Sequence, residues 1–74
     1  MPRIAEGLQD DPDNDGWVVG WAVYRLDPWD LYGVCLSKKA AQAMLQEAGE
    51  GYIMDFGSHQ VGTEDFVATH SAGS

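Results

Sequence analysis

Basic residues are the scarcest chemistry in this sequence. Four Lys and Arg stand against twelve Asp and Glu, which leaves a formal charge of -8 on 74 residues. Four cations cannot neutralise the line of phosphates that ordinary nucleic-acid binding requires, so direct DNA or RNA binding is excluded as a function class. The same field repels anionic membrane and favours encounter with basic partners. Cysteine is nearly as scarce. Cys35 alone leaves no internal disulfide, so the fold must rest on packing, which suits a reducing cytoplasm. Cys35 lies in an apolar stretch with no adjacent base and is expected to be buried and inert. No apolar run approaches the roughly 18 residues that span a membrane. The amino terminus Met1-Pro2-Arg3-Ile4-Ala5-Glu6 also lacks the apolar centre of a signal peptide, and a soluble, cytoplasmic chain is expected.

Catalytic motifs are missing too. His59 and His70 are the only imidazoles, and neither stands at metal-ligand spacing from a cysteine or carboxylate. Ser58-His59 beside Glu64-Asp65 holds the residue types of a hydrolytic triad, but without a nucleophile elbow His59 reads as a loop or surface residue. There is no glycine-rich phosphate loop, paired-cysteine motif or dinucleotide fingerprint. The expectation is a chain that is not an enzyme, with no metal and no cofactor.

What is present is a concentrated core. All three tryptophans fall within Trp17 to Leu36. Trp17 to Tyr24 and Leu31 to Leu36 are β-branched and aromatic, and Asp27-Pro28-Trp29-Asp30 between them has turn composition, which predicts an antiparallel pair. Trp17, Val19, Trp21 and Val23 alternate with Val18, Gly20, Ala22 and Tyr24, so the first strand is apolar on both faces and is expected to be central or covered twice. Gly20 and Gly33 mark candidate bulges or places where a neighbouring ring crosses the backbone.

Ser37 precedes Ala40, Ala41, Met44, Leu45 and Ala48, whose spacings of three and four predict an amphipathic helix over 38–48 that Gly49 and Gly51 stop. Lys38 and Lys39 sit in its first turn, against the helix dipole. Tyr52 to Phe56 reads as a third strand, Gly57 to Gly62 as loop, and Thr63 to Val67 as a short strand or helical turn. The fold expected is α+β in a single small domain over 1–74. An antiparallel three- to four-stranded sheet carries one amphipathic helix on one face, with flexible ends at 1–9 and 68–74.

The remaining signal is acidic. Asp11, Asp13, Asp15 and Gly16 match the opening of an EF-hand loop, but the twelfth position is Ala22 and a strand follows where a helix is needed. In an extended segment residues two apart are about 6.6 Å apart. Asp11, Asp13 and Asp15 can therefore form a row of anions comparable to a phosphate backbone, which repeats at about 3.4 Å per strand. Asp27 and Asp30 at the hairpin turn extend that row or form a second patch, and Glu64 and Asp65 are second-choice members. The alternatives are a small calcium-binding module on Asp11, Asp13 and Asp15, and an accessory domain with an apolar interface anchored by Trp29.

Size, acidity, the order strand-strand-helix-strand and the absence of catalytic motifs, with the stretch Gly51-Tyr52-Ile53-Met54-Asp55-Phe56-Gly57-Ser58-His59-Gln60-Val61-Gly62-Thr63-Glu64-Asp65-Phe66-Val67, resemble small proteins of bacteriophages and mobile elements, among them the anti-CRISPR proteins. The resemblance implies a stoichiometric inhibitor in a bacterial host, and the chain is expected to be a monomer. It would act as an acidic mimic of DNA that blocks DNA binding by a CRISPR effector complex, and the resemblance assigns no residue roles.

Overall fold

In chain order the elements are β1 (Arg3–Ile4), β2 (Gln9–Asp10), β3 (Trp17–Leu26), β4 (Trp29–Cys35), α1 (Lys38–Ala48), β5 (Ile53–Gln60) and β6 (Phe66–Ala68). The structure is a computed structural model that describes residues 3–68. The strands form one sheet in the order β1-β4-β3-β5-β6, with β2 on the β3 edge. β3 pairs antiparallel with β4 through Trp21 to Leu26, with β2 through Val18 and Val19, and with β5 through Trp17 to Tyr24. β1 lies parallel to β4.

The sheet is therefore mixed and six-stranded, not an antiparallel sheet of three or four strands. The additional strands have two or three residues each. That is too short for a period-two pattern to register, and the parallel pairing of β1 is a long-range event that local composition does not encode. Arg3, Ile4 and Gln9 are thus paired residues within the segment expected to be flexible, and Asp10 beyond it is paired as well. At the other end Ala68 pairs with Gly57, and the rest of the expected flexible tail lies outside the described residues.

Both faces of β3 are covered, as its doubly apolar pattern predicts. On one face Val23, Cys35 and Ala41 form a buried cluster, with Trp21, Met44 and Met54 packed against it beneath the helix. On the other, Ala22, Tyr24, Leu31, Val34 and Phe66 cluster with Leu8. Cys35 is buried, and its Sγ lies 3.8 Å from the Met44 sulfur. Burial pushes its thiol pKa up, against a smaller opposing pull from Arg3.

The helix forms where its spacing predicts. The Ser37 hydroxyl accepts the Ala40 N–H at 3.1 Å, and Gly49, at φ 96°, donates its N–H back to the Leu45 carbonyl. Lys38 Nζ lies 5.8 Å from the centre of the Trp21 ring, a cation–π contact that offsets its unfavourable place in the first turn.

The pairing between β3 and β4 shifts register between Val23 and Tyr24, so that Val23 faces Gly33 while Tyr24 faces Leu31. Tyr32 is the extra residue, and it packs on the helix side against the Tyr52 ring with Arg3 over its face. A Cβ on Gly33 would lie 2.6 Å from both the Arg3 carbonyl oxygen and Met44 Sδ, so Gly33 admits β1 and the helix to close approach. The glycine crossed by a ring is Gly57, beneath Phe66.

β5 runs on through Gly57 to Gln60, where composition suggests loop, because these residues pair with Trp17 to Gly20 of β3. His59 is consequently 1% exposed and not a surface residue. Its Nδ1 stands 3.0 Å from the Asp65 carbonyl oxygen.

Candidate functional site

The seven acidic residues singled out by sequence divide into two groups. Asp13, Asp15, Asp27, Glu64 and Asp65 are exposed, whereas Asp11 and Asp30 are partly buried and engaged internally. Asp11 Oδ1 accepts the Asp13 N–H at 2.9 Å, and Oδ2 accepts from Asn14 Nδ2 and from the Ser58 hydroxyl. Backbone bonds from Asn14 to the Asp11 carbonyl and from Asp11 to the Trp17 carbonyl close the segment. It is turned, not extended, and the evenly spaced row of anions gives way to a braced turn that presents Asp13 and Asp15. Asp11 holds this turn to β5. For a calcium loop the consequence is direct, since the carboxylate of its first position already serves three protein donors. Among the described residues no group of three or more His, Cys, Asp or Glu is placed to hold a metal ion.

Asp30 accepts the Tyr52 hydroxyl at 2.6 Å, and the Tyr52 ring lies under the Arg25 guanidinium at 5.2 Å. This carboxylate therefore faces the helix side beside a cation. Tyr24 makes the matching bond to Asp55 at 2.7 Å on the other face, and burial with that carboxylate pushes the Tyr24 pKa up to about 12.

Glu64 and Asp65 occupy the loop 61–65, which joins the other two acidic segments. The Val61 N–H donates to the Gly16 carbonyl at 2.9 Å, tying this loop to the 11–16 turn. The Trp29 indole Nε1–H donates to the Glu64 carbonyl at 2.9 Å, tying it to the β3–β4 turn that carries Asp27. Three acidic loops thus form one linked rim, with the second-choice acids at its centre. The Asp65 carbonyl also accepts the Gln60 N–H, and its own N–H donates to Thr63 Oγ1.

No Lys or Arg occurs between Arg3 and Arg25 or after Lys39, so two of the three loops contain no cation in their neighbourhood of sequence. Arg3 pairs with Glu47 at 2.9 Å over the Tyr32 ring, Arg25 donates to the Pro28 carbonyl over Tyr52, and Lys38 lies over Trp21. The rim also carries apolar side chains. Leu26 is 65% exposed, Val61 60% and Trp29 39%.

Sequence reasoning identifies Trp29 as a turn residue but misses its bond to Glu64, and it misses Ser58 as the partner of Asp11. Both are contacts between residues far apart in the chain, 35 and 47 positions respectively, for which a single sequence carries no local signal. No family model matches the chain, and neither does any curated protein or solved structure.

The brace on Asp11 carries a pH dependence. The Ser58 hydroxyl foremost, then the Asp13 N–H and Asn14, hold the Asp11 carboxyl below its ordinary 3.8. A depressed carboxyl stabilises the fold above its unfolded pKa, and this contribution is lost as pH falls through the folded value. Ser58→Ala should lower the melting temperature near neutrality, and the gap from the parent protein should narrow as pH falls below about 4. A gap of constant size across that range would show that the ionised carboxylate contributes nothing to the brace.

Proposed function

We propose that this chain is a non-enzymatic interaction protein whose acidic rim occupies a basic site on a nucleic-acid-handling complex. The observation that carries the reading is that five exposed carboxylates stand on three loops tied to one another by hydrogen bonds, while the engaged cations lie on the helix side. Carboxylates held by a braced backbone lose little entropy on binding, which favours their use as a substitute for phosphates in a Lys- and Arg-lined groove. The resemblance to small phage proteins makes a CRISPR effector the target class, with the protein acting as a monomer that competes with DNA.

The test is inhibition of DNA binding by a candidate effector, titrated at two salt concentrations. Neutralising the rim through Asp13→Asn, Asp15→Asn, Asp27→Asn, Glu64→Gln and Asp65→Asn together removes charges worth about 0.2–1 kcal/mol each when exposed. Inhibition should weaken by about tenfold or more, with a smaller salt dependence than the parent protein shows. Asp30→Asn, which alters an internally bonded carboxylate, should change inhibition little. An inhibition curve that the five changes leave in place would remove the rim from the reading.

A second reading has support in the exposed Val61 on the 61–65 loop and Leu26 and Trp29 at the strand ends beside the β3–β4 turn, which fit an apolar anchor set in an accessory domain. It expects Trp29→Ala to weaken binding more than the five charge removals, and weak dependence on salt.

A further inference from the structure

Between the linked loops and β6 lies a shallow depression of about 350 Å³ lined by Trp17, Trp29, Phe66, Val67 and Asp65. Aromatic walls with a carboxylate beside them are the environment that attracts an organic cation, since the ring faces are negative and the carboxylate supplies the charge partner. Elsewhere the protein uses its own cations in this way, over Tyr32, Tyr52 and Trp21. Neither Trp17 nor Trp29 has a cation over its ring among the described residues, and the Asp65 carboxylate makes no hydrogen bond or ion pair to any described residue. The backbone at this point is fixed. His59 and the Gln60 N–H engage the Asp65 carbonyl, Thr63 engages its N–H, and Trp29 engages the Glu64 carbonyl.

We infer that this depression receives an arginine side chain of the basic partner, with its stem and guanidinium plane against the indoles and its charge paired to Asp65. Resting on the reading of the rim as a surface for a basic protein, this names the side chain that the partner inserts. Arginine fits better than lysine because its planar guanidinium stacks on aromatic faces and offers a fork of donors to a carboxylate, whereas an ammonium is a strongly hydrated point charge. A second copy of the chain is a poor occupant. Each copy carries a charge of -8, and its two arginines are already engaged with Glu47 and with Pro28 and Tyr52.

The test uses the isolated full chain and three short neutral-capped peptides, Gly-Arg-Gly, Gly-Lys-Gly and Gly-citrulline-Gly, with tetramethylammonium as a fourth probe. The indole N–H signals of Trp17 and Trp29 are followed by nuclear magnetic resonance. The arginine peptide should shift both signals saturably, the lysine peptide should bind at least threefold more weakly, and the citrulline peptide should cause no saturable shift. Asp65→Asn, which leaves the backbone braces in place, should weaken the arginine peptide at least fivefold. Tetramethylammonium binding as tightly as the arginine peptide would overturn the assignment in favour of a small quaternary cation. Shifts dispersed over Asp13, Asp15 and Asp27 and indifferent to Asp65→Asn would overturn it in favour of diffuse charge attraction. Since no effector is present, a failure here leaves the inhibition assay to stand or fall separately. Saturable arginine binding combined with an inhibition curve insensitive to the five charge removals, Asp65→Asn among them, would overturn the assignment of the depression to the partner's arginine together with the rim.

Discussion

Gly57→Ala is expected to destabilise the protein by about 3 kcal/mol, at the upper end of ordinary overpacking, because the added methyl group meets backbone and not a mobile side chain. A Cβ at Gly57 would overlap the Val67 carbonyl oxygen and stand 2.8 Å from the Ala68 Cα and 2.7 Å from Phe66 Cζ. In a strand with open surroundings the same change stabilises by roughly 0.5–1 kcal/mol, since alanine loses less conformational freedom than glycine on folding. The sign of the effect is therefore informative. Domains of this size retain only about 3–5 kcal/mol of net stability, so the variant should populate unfolded chains substantially, with a large fall in the urea midpoint. Phe66→Ala in the same chain removes the ring contact but leaves the carbonyl overlap, so it should not restore the midpoint. A Gly57→Ala protein as stable as its parent would mean that β6 does not lie against Gly57.

Trp21→Ala has an expected cost of about 3 kcal/mol, the lower end of the range for truncating a large buried aromatic, because Trp21 is partly and not fully buried. Trp21 lies among the residues under the helix, with the Phe56 ring edge-on at 5.4 Å and Lys38 Nζ at 5.8 Å from its centre. Truncation removes the apolar area that joins helix to sheet and deprives Lys38 of the ring that offsets its position in the first turn. Near-ultraviolet circular dichroism should lose its native signature, and the melt should broaden or vanish. A native spectrum with an unchanged melt would place the Trp21 ring in solvent and remove it from the core.

Helix α1, the long strands β3 and β4 and the start of β5 were legible because each announces itself within a short window. Ser37 and Gly49 bracket a three-and-four repeat, and alternating β-branched residues fill Trp17 to Tyr24. The second half of β5 was not legible. Gly57, Ser58 and His59 have turn composition, and what makes them strand is pairing to Val18, Val19 and Gly20 some forty residues earlier. The site followed the same rule. Exposure of Asp13, Asp15 and Asp27 follows from their turn-forming neighbours, but the division between presented and engaged acids depends on Ser58 and Tyr52, which are distant in sequence. The central place of the 61–65 loop depends on one indole bond and one backbone bond that no spacing foretells.

The burial of Cys35 gives the molecule an internal clock. It is the sole thiol of the chain and lies beside Met44 beneath the helix. A thiol reagent attacks the thiolate, and here both access and ionisation are withheld while helix and sheet remain closed. Alkylation can proceed only through excursions in which the helix lifts from β4, so the labelling rate divided by that of an unfolded peptide reads the opening equilibrium directly. The single sulfur thus reports how often the helix face opens, without an engineered probe and without disturbing the acidic rim.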